Sequence, residues 1–246
     1  ALAAAAGAAG GPADPVDGHR RAMLRRPPGP VDCRAALSTR RRKEYGRQMR
    51  RLAETGSVSG ETATEPDIVR ARFEEFLALE QAGWKGRAGT ALAARAATAA
   101  FARTVVTDGA DAGAVRIDSI RVGAAPVAML VSFLAASTAY TWKIAFDEAH
   151  ARFSPGAQLM LDAPRSLFAD ARIDRIDSCA VADHPMIDHL WKDRLAVGTL
   201  VIGPPGGGMV HRLGLAAFRA EIEARQAARR LRTRLSARRR NRETES

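Results

Sequence analysis

The sequence predicts an α/β (α+β) fold, in which helices flank a mixed, mostly antiparallel sheet and a long basic helix follows at the C-terminal end. One observation is that three segments before residue 108 have the caps and composition of helices. A second is that three strand-like segments, separated by tight turns, lie between residues 115 and 146. The composition agrees, because 46% hydrophobic and 26% charged residues are typical of a folded globular protein.

Composition divides the chain into three regions. Residues 1–31 are rich in Ala, Gly and Pro, which predicts a linker or the remnant of an upstream half-domain. The start at Ala1 instead of Met agrees with a missing upstream region. Residues 32–212 carry the helix and strand patterns of the main domain, and residues 213–246 predict a basic helix with a polar tail.

Three helices are predicted ahead of the strands. Ser38 is placed to cap a basic helix that Gly56 ends. A second helix begins at Thr64, with Pro66 in its first turn, and a third runs over 90–107. A mostly apolar stripe at helical spacing predicts core packing for the second helix: Val69, Phe73, Phe76, Leu77 and Glu80.

The second half of the main domain predicts a meander followed by alternating helices and strands. Val115 and Ile117 alternate with charged residues, as in a half-buried strand. The complete series is strands at 115–119, 127–134 and 140–146, a loop at 147–156, a helix at 157–168, a strand at 173–178, a helix at 185–195 and a strand at 197–202.

A formal net charge of +11 predicts an anionic partner such as nucleic acid, acidic lipid or a phosphorylated cofactor. A simpler explanation stays open, because charge runs on helices are usually solvated faces. Much of the charge lies in two runs: Arg40, Arg41, Arg42, Lys43, Arg47, Arg50 and Arg51, and then Arg225, Arg229, Arg230, Arg232, Arg234, Arg238, Arg239, Arg240 and Arg242.

The sequence excludes several classes of protein. The longest apolar stretch, 124–136, falls short of the ~20 residues of a transmembrane helix, and no signal peptide is evident, so we expect a cytoplasmic protein. Cys33 and Cys179 alone cannot form a disulfide framework or a cysteine zinc cluster. His184 and His189 do not share one helix face, so we predict no metal site.

The turn at Ser154, Pro155 and Gly156 is the most informative segment for chemistry. A turn that leads into a helix presents unpaired N–H groups and the positive end of the helix dipole, which suits a pyrophosphate. Ser154 is a candidate N-cap, and Gly156 lets a ligand approach the backbone closely. An ordinary capped helix is the alternative.

The order of elements resembles the GNAT acyltransferase fold. The segments resemble in particular the GNAT-like domain of the cellulose-biosynthesis protein CelD, which is related to the FemAB aminoacyl transferases. The matching stretches are STRRRK at 38–43, RRLAETG at 50–56, LE at 79–80, GWKGRAGTAL at 83–92, WKIAFDE at 142–148, SPG at 154–156, Asp177, and LW at 190–191.

The resemblance implies that an acyl-CoA, such as acetyl-CoA, is the co-substrate and that one turn holds its pyrophosphate. The residues of that turn are Phe153, Ser154, Pro155, Gly156, Ala157 and Gln158. The usual phosphate loop of the fold has an Arg or Gln ahead of two glycines, whereas this turn has Gly156 alone. Fewer backbone amides are therefore expected to reach the phosphates.

Transfer on this fold requires a nucleophile to lose a proton beside a positioned thioester. The candidate bases are Asp147, Glu148, Asp177 and His184, and histidine titrates near neutrality. Asp183, next to His184, is a further candidate base, or else it caps the helix that follows. Candidate substrate-binding residues are Trp84, Lys143 and Trp191. Lys143 and Arg87 are candidates to bind a phosphate or an acidic substrate, unless Lys143 points outward from its strand. Cys179 is a candidate acyl carrier, or a buried inert thiol.

The sequence thus predicts an acyl-CoA-dependent N- or O-acyltransferase that acts on a small-molecule or glycan-precursor acceptor, in polysaccharide or cell-envelope metabolism. One alternative is FemAB-like transfer from aminoacyl-tRNA, with the basic helices gripping RNA. Another is a non-catalytic scaffold domain. Peripheral contact with an anionic membrane is a further expectation.

Overall fold

The computed structural model describes residues 7–8 and 10–244, and for residues 226 and 229–244 it describes the backbone alone. Residues 21–195 form one compact unit, and the residues before 21 and after 195 form a second, smaller one.

The sheet has seven strands in the order β2-β3-β4-β5-β6-β1-β7. Strands β5 and β6 pair in parallel, whereas β2–β3, β3–β4, β4–β5 and β1–β6 are antiparallel. The strands are β1 (Ala13–Arg25), β2 (Val58–Ala63), β3 (Val115–Val122), β4 (Ala125–Ala135), β5 (Thr138–Phe146), β6 (Arg175–Asp177) and β7 (Asp193–Ile202). The predicted mixed, mostly antiparallel sheet is confirmed.

Helices cover the sheet of the larger unit on both faces. They are α1 (Thr39–Ala53), α2 (Pro66–Ala82), α3 (Trp84–Arg87), α4 (Ala96–Asp111), α5 (Pro155–Leu167) and α6 (Ile187–Leu190), with 3-10 helices at Leu92–Ala94 and Glu148–Phe153. The smaller unit contains α7 (Met209–Thr244). No helix within the described residues combines the length and apolar character needed to cross a bilayer.

The core of the larger unit consists of two clusters, one on each face of the sheet. Along β4, Leu130 belongs to the cluster with α1 and α5, and Val131 belongs to the cluster with α2 and α4. Successive residues of a strand point to opposite faces, so the apolar run of β4 supplies both clusters. The two clusters hold β5 in place between them.

Several predicted elements are confirmed. Ser38 caps α1, because its Oγ accepts a hydrogen bond from the backbone N–H of Arg41 (3.4 Å). The meander over β3–β5 forms in antiparallel register. The apolar stripe of α2 is buried, as predicted.

Two predicted segments differ in the structure. A linker or the remnant of an upstream half-domain is predicted over 1–31; Ala13–Arg25 forms β1 instead of a linker, and Met23 in it is buried and pairs with Asp177. A helix was predicted over 185–195, but one turn at Ile187–Leu190 is followed by β7 from Asp193. Both differences arise from pairing with strands that are distant in sequence, which local patterns do not report.

The smaller unit contains the predicted basic helix. Helix α7 begins at Met209, four residues before the predicted start. In this unit His211 Nε2 lies 3.1 Å from Asp14 Oδ2, and Gly203 donates its N–H to the carbonyl of Pro12 (3.0 Å). Of the second basic run, the side chains from Arg229 onward lie outside the described residues.

Candidate active site

Strand β5 has an open edge. Its parallel pairing with β6 ends where Tyr140 meets Asp177, whereas β5 continues to Phe146. Residues 141–146 therefore extend beyond β6 on that side. Such a gap between parallel strands leaves backbone groups available to a ligand.

A pocket of about 730 Å³ lies along this edge; it is called the large pocket below. Its lining combines the end of β5, the start of α5, the α3 turn and the segment before α6. The lining residues are Tyr45, Leu79, Glu80, Gly83, Trp84, Lys85, Ile144, Ala145, Phe146, Ala151, Ser154, Pro155, Gly156, Ala157, His184, Pro185 and Met186. The turn that the sequence singled out thus opens onto a groove.

The turn presents two backbone donors. Ser154 has left-handed dihedrals (φ 52°, ψ 47°), and its carbonyl accepts the N–H of Gln158 (3.0 Å). Pro155 has no N–H, so Gly156 and Ala157 supply the first amides of α5, which have no carbonyl one turn earlier. Ser154 occupies the N-cap position, but its side chain makes no capping hydrogen bond.

The space beside Gly156 is small. A Cβ built at this position would lie 3.5 Å from a ring carbon of Phe146 and 3.6 Å from the Cδ1 of Ile144. These are ordinary contact distances, so alanine fits, whereas a longer side chain would displace Phe146 or Ile144, which both line the large pocket. The glycine keeps the ends of β5 and α5 close together.

Two predicted cofactor-binding residues do not line the large pocket. Gln158 is buried, and it donates to the carbonyl of Tyr45 (2.8 Å) and accepts from Arg34 (2.9 Å). Phe153 is buried beneath the Arg152 guanidinium. Both residues hold the turn in place, and they contribute no surface to the large pocket.

A buried carboxylate with two lysines lies beside the open edge. Glu80 is 2% exposed, and its Oε1 lies 3.0 Å from Lys85 Nζ and 3.5 Å from Lys143 Nζ. Its Oε2 accepts the backbone N–H of Leu92 (2.8 Å). Lys85 also donates to the carbonyl of Ile144 (2.8 Å), on the unpaired part of β5. The cluster ties α2 and α3 to the edge of the sheet.

A second pocket of about 280 Å³, the small pocket, lies in the same gap. Residues 141–144 of β5 and residues 178–181 after β6 both line it. Four residues line both pockets: Lys85, Ile144, His184 and Met186. These shared residues mark the junction of the two pockets.

Of the candidate bases, His184 lines both pockets, whereas Asp147, Glu148, Asp177 and Asp183 line neither. The Nδ1 of His184 accepts the backbone N–H groups of Met186 (3.3 Å) and Ile187 (3.4 Å). In the neutral ring this pattern assigns the proton to Nε2. His184 therefore presents a hydrogen-bond donor to the junction.

Asp147 and Glu148 serve the backbone around the site. Asp147 accepts the N–H of Ala149 (2.9 Å), and its other oxygen lies 2.8 Å from His150 Nδ1. Glu148 accepts from Arg87 (2.7 Å) and from the N–H of Trp84 (2.6 Å). These bonds, that of Arg87 first, lower the pKa of Glu148, so the carboxylate is a poor base and joins α3 to the end of β5.

Asp177 is buried away from both pockets. It forms an ion pair with Arg21 and accepts the backbone N–H of Cys179 (2.9 Å). Its carbonyl accepts the hydroxyl of Thr141 (3.1 Å). These bonds hold the end of β6 against β5 at the point where the gap opens.

The two tryptophans have different environments. Trp84 is 54% exposed and lines the large pocket. Trp191 is 0% exposed, belongs to the core, and donates its Nε1–H to the carbonyl of Met160 (3.1 Å). Of the predicted substrate-binding residues, the structure thus places Trp84 in the large pocket and Lys143 in the small one, and Trp191 in neither.

Backbone strain concentrates around the two pockets. Four non-glycine residues have positive φ within the described chain, and three of them adjoin the site: Ser154, Cys179 and Asp183. Left-handed conformations of such residues persist where surrounding structure holds them, which is frequent at functional sites. Asp183, a candidate base or cap in the sequence, forms the strained bend before His184.

Cys179 lines the small pocket as a protonated thiol. Burial first, and then the nearby Asp177 carboxylate, raise the pKa of Cys179 to about 11. Burial likewise raises the pKa of Cys33 to about 11. A thiol nucleophile requires the thiolate, so neither cysteine suits an acyl-enzyme route at neutral pH.

We therefore expect Cys179→Ser to keep any transferase activity within about twofold of wild type. We also expect iodoacetamide to alkylate Cys179 at pH 7.5 about tenfold more slowly than a small thiol of ordinary pKa, because the lower thiolate fraction outweighs the higher nucleophilicity. Peptide mass spectrometry over time measures the rate. Rapid alkylation together with inactive Cys179→Ser would restore the acyl-cysteine route.

Glu80 and Tyr45 line the large pocket but are absent from the site residues predicted from the sequence. Glu80 was grouped with the apolar stripe of α2, although a carboxylate in such a stripe signals a buried ion pair. Tyr45 lies on the basic helix α1, where its aromatic ring had no distinguishing pattern. Among the described residues, no group of His, Cys, Asp or Glu is arranged to hold a metal ion.

Comparison with known proteins identifies a family over the same region. The family model described as "Acetyltransferase (GNAT) domain" matches residues 39–185, more than half of the chain. The match includes the open edge of β5, the start of α5 and His184. A comparison with curated proteins finds no significant match.

Solved structures with detectable similarity share little sequence. The C-terminal domain of a putative lysylphosphatidylglycerol synthetase from Agrobacterium fabrum has 14% identity and a TM-score of 0.43, over 71% of this chain and 50% of that one. An aminoglycoside acetyltransferase from a soil metagenomic sample, in complex with sisomicin, has 12% identity and a TM-score of 0.36, over 53% and 80%.

A conserved protein of unknown function from Bacteroides thetaiotaomicron has 16% identity and a TM-score of 0.40, over 68% of this chain and 51% of that one. The chain therefore spans about half the length of two of these three structures.

Proposed function

The chain belongs to the GNAT acetyltransferase family, and we propose that it is an acyl-CoA-dependent N- or O-acyltransferase. One observation carries the proposal: the open edge of β5 and the first amides of α5 line the same large pocket. A diphosphate suits the helix N-terminus, and amide groups of an extended acyl carrier suit an unpaired strand edge. An acyl-CoA contains both in one molecule.

The acyl donor would lie along the large pocket with its pyrophosphate at Gly156 and Ala157. Its thioester would then reach the junction of the two pockets, where His184 and Lys85 lie. The acceptor nitrogen or oxygen bonds to the thioester carbon, the C–S bond breaks, and the proton lost by the acceptor balances the thiolate of CoA. We propose that the Nε2–H of His184 donates to the carbonyl oxygen as negative charge develops on it.

Several finer features are part of the proposal. The likeness of the segments to CelD-type domains supports a role in polysaccharide or cell-envelope metabolism, with an acceptor from that chemistry. The exposed basic residues of α1 support peripheral contact with an anionic membrane surface from the cytoplasm. The assignment of residues of the large pocket to acyl-CoA binding does not depend on these finer features.

Aminoacyl-tRNA-dependent transfer is a second candidate function. Seven basic residues of α1 are exposed, a density that suits a polyanion: Arg40, Arg41, Arg42, Lys43, Arg47, Arg50 and Arg51. Aminoacyl-tRNA should then bind much more tightly than RNA of equal length that carries no amino acid. Equal affinity for any polyanion would contradict this function.

Calorimetric titration with acetyl-CoA, with longer acyl-CoAs and with CoA tests the main proposal. We expect saturable 1:1 binding of at least one acyl-CoA, and release of CoA thiol when an acceptor is added. Absence of binding by every acyl-CoA would contradict the proposal. Binding without transfer to any amine or alcohol acceptor, in wild type and in variants of His184, would favour a scaffold role.

A further inference from the structure

The small pocket is placed to hold the group that receives the acyl chain. It shares Lys85, Ile144 and His184 with the large pocket. A ligand in the small pocket would therefore lie beside the thioester end of a donor in the large one. Its volume of about 280 Å³ suits a small molecule or the end of a larger one.

The charges that line the small pocket are cationic. Lys85 and Lys143 both line it, and among the residues that the structure describes no Asp or Glu does. Lys85 and Lys143 share the single buried carboxylate of Glu80, so this cluster carries one positive charge in excess. An excess positive charge beside a pocket favours an anionic ligand.

Both carboxylate oxygens of Glu80 have hydrogen-bond donors that lie closer than Lys143. The Oε1 of Glu80 is bound by Lys85 at 3.0 Å and its Oε2 by the N–H of Leu92 at 2.8 Å. Lys143 Nζ lies 3.5 Å from Oε1, beyond the 2.7–2.9 Å that is usual for a charge-assisted hydrogen bond. Within the described chain Glu80 is its one ion-pair partner, so the ammonium keeps donors for a ligand.

We propose that the acceptor carries an anionic group, a carboxylate or a phosphate, close to its nucleophilic amine or hydroxyl, and that Lys143 binds this group. The inference deepens the proposed function and rests on it. Ser178 provides a second polar contact, because its Oγ accepts the N–H of Ala180 (3.2 Å) and its hydroxyl proton remains available to donate. Lys143 is thus a residue that determines acceptor specificity.

Matched pairs of amines test the proposal. The pairs are β-alanine with β-alaninamide, and phosphoethanolamine with ethanolamine; the members of each pair share a primary amine, and one member carries an anionic group that the other lacks. The wild-type protein with acetyl-CoA should show a KM at least tenfold lower for the anionic member of one pair. The pair that shows the preference distinguishes carboxylate from phosphate.

Variants connect the preference to one side chain. Lys143→Gln should remove at least 80% of the preference, mainly through KM, with kcat within about threefold and the affinity for acetyl-CoA unchanged. Lys143→Arg should retain it. Lys192→Gln is the matched control, because Lys192 is exposed and lines neither pocket, and it should behave as wild type.

Direct binding separates this inference from the proposed function. Amide shifts in ¹⁵N-labelled protein should respond saturably to the anionic amines at residues 141–144 and 178–181, and Lys143→Gln should abolish the response. Binding of the anionic amines without binding of acetyl-CoA would overturn the proposed function and leave the anion site. Equal use or equal binding of anionic and neutral members, or a preference that persists in Lys143→Gln, would overturn the inference.

Discussion

Replacing His184 by alanine should lower kcat for acyl transfer by about 100-fold, the loss typical of one preorganised donor to a developing oxyanion. The KM for acyl-CoA should stay within about threefold, because our proposal places the donor pyrophosphate at the start of α5 and gives this ring no role in binding it. We expect the loss in kcat because His184 lies at the junction of the two pockets and its Nδ1 is engaged by the backbone. Stopped assays of CoA release measure both parameters.

His184→Gln distinguishes the two roles that the ring could have. A glutamine oxygen can accept the N–H groups before α6 while its amide nitrogen donates, so a donor role predicts recovery to within about tenfold of wild type. A glutamine cannot take up a proton, so a base role predicts a loss as large as in His184→Ala. Wild-type kcat in His184→Ala would contradict any catalytic role for this residue.

Replacing Lys85 by methionine should destabilise the protein by about 3 kcal/mol, the cost of leaving a buried carboxylate without its close cation. Lys85 holds Glu80 at 3.0 Å and the carbonyl of Ile144 at 2.8 Å, so two buried acceptors lose their donor together. Urea unfolding followed by circular dichroism measures the change.

A second variant separates the charge effect from packing. Lys85→Met/Glu80→Gln keeps an acceptor for the N–H of Leu92 and removes the buried charge, so it should recover most of the lost stability. Lys143→Gln should cost less than about 1 kcal/mol, because Lys143 lies 3.5 Å from the same carboxylate. A loss below about 1 kcal/mol in Lys85→Met would contradict the account of this cluster.

The elements that the sequence predicted well are those whose signals are local. The meander over β3–β5 has short connecting turns, and the cap of α1 and the stripe of α2 lie within one helix each. Three residues of sequence suffice to locate the bend at Ser154, because Pro fixes φ at a helix start and the adjacent Gly leaves the backbone accessible. The left-handed conformation of Ser154 itself has no sequence signal.

The elements that the sequence missed depend on partners far along the chain. Strand β1 forms because residues 23–25 pair with residues 175–177, and β2 forms at the edge of the sheet against β3. The segment of β2 contains Ser59, Gly60 and Glu61, so it lacks the apolar alternation of a strand. Tertiary pairing overrides weak local preference in both cases.

The candidate site follows the same rule. His184 and the bend at Ser154 both line the large pocket. Asp177, Glu148 and Trp191 have chemically suitable side chains, but each is engaged by a partner that the sequence does not place beside it: Arg21, Arg87 and the carbonyl of Met160. The small pocket could not be predicted, because it depends on where the pairing of β6 ends.

The central claim is that the start of α5 binds the pyrophosphate of an acyl-CoA, and calorimetry on Gly156→Glu tests it most directly. A glutamate here would place a carboxylate beside the amides that we propose to bind phosphate, and it would repel phosphate. Circular dichroism first establishes that the variant is folded, because Gly156 is buried and a Cβ there would lie 3.5 Å from Phe146. Gly60→Glu adds the same side chain at an exposed position with open space. The account predicts at least 100-fold weaker acetyl-CoA binding in Gly156→Glu and wild-type affinity in Gly60→Glu; equal affinity in the two folded variants would contradict it.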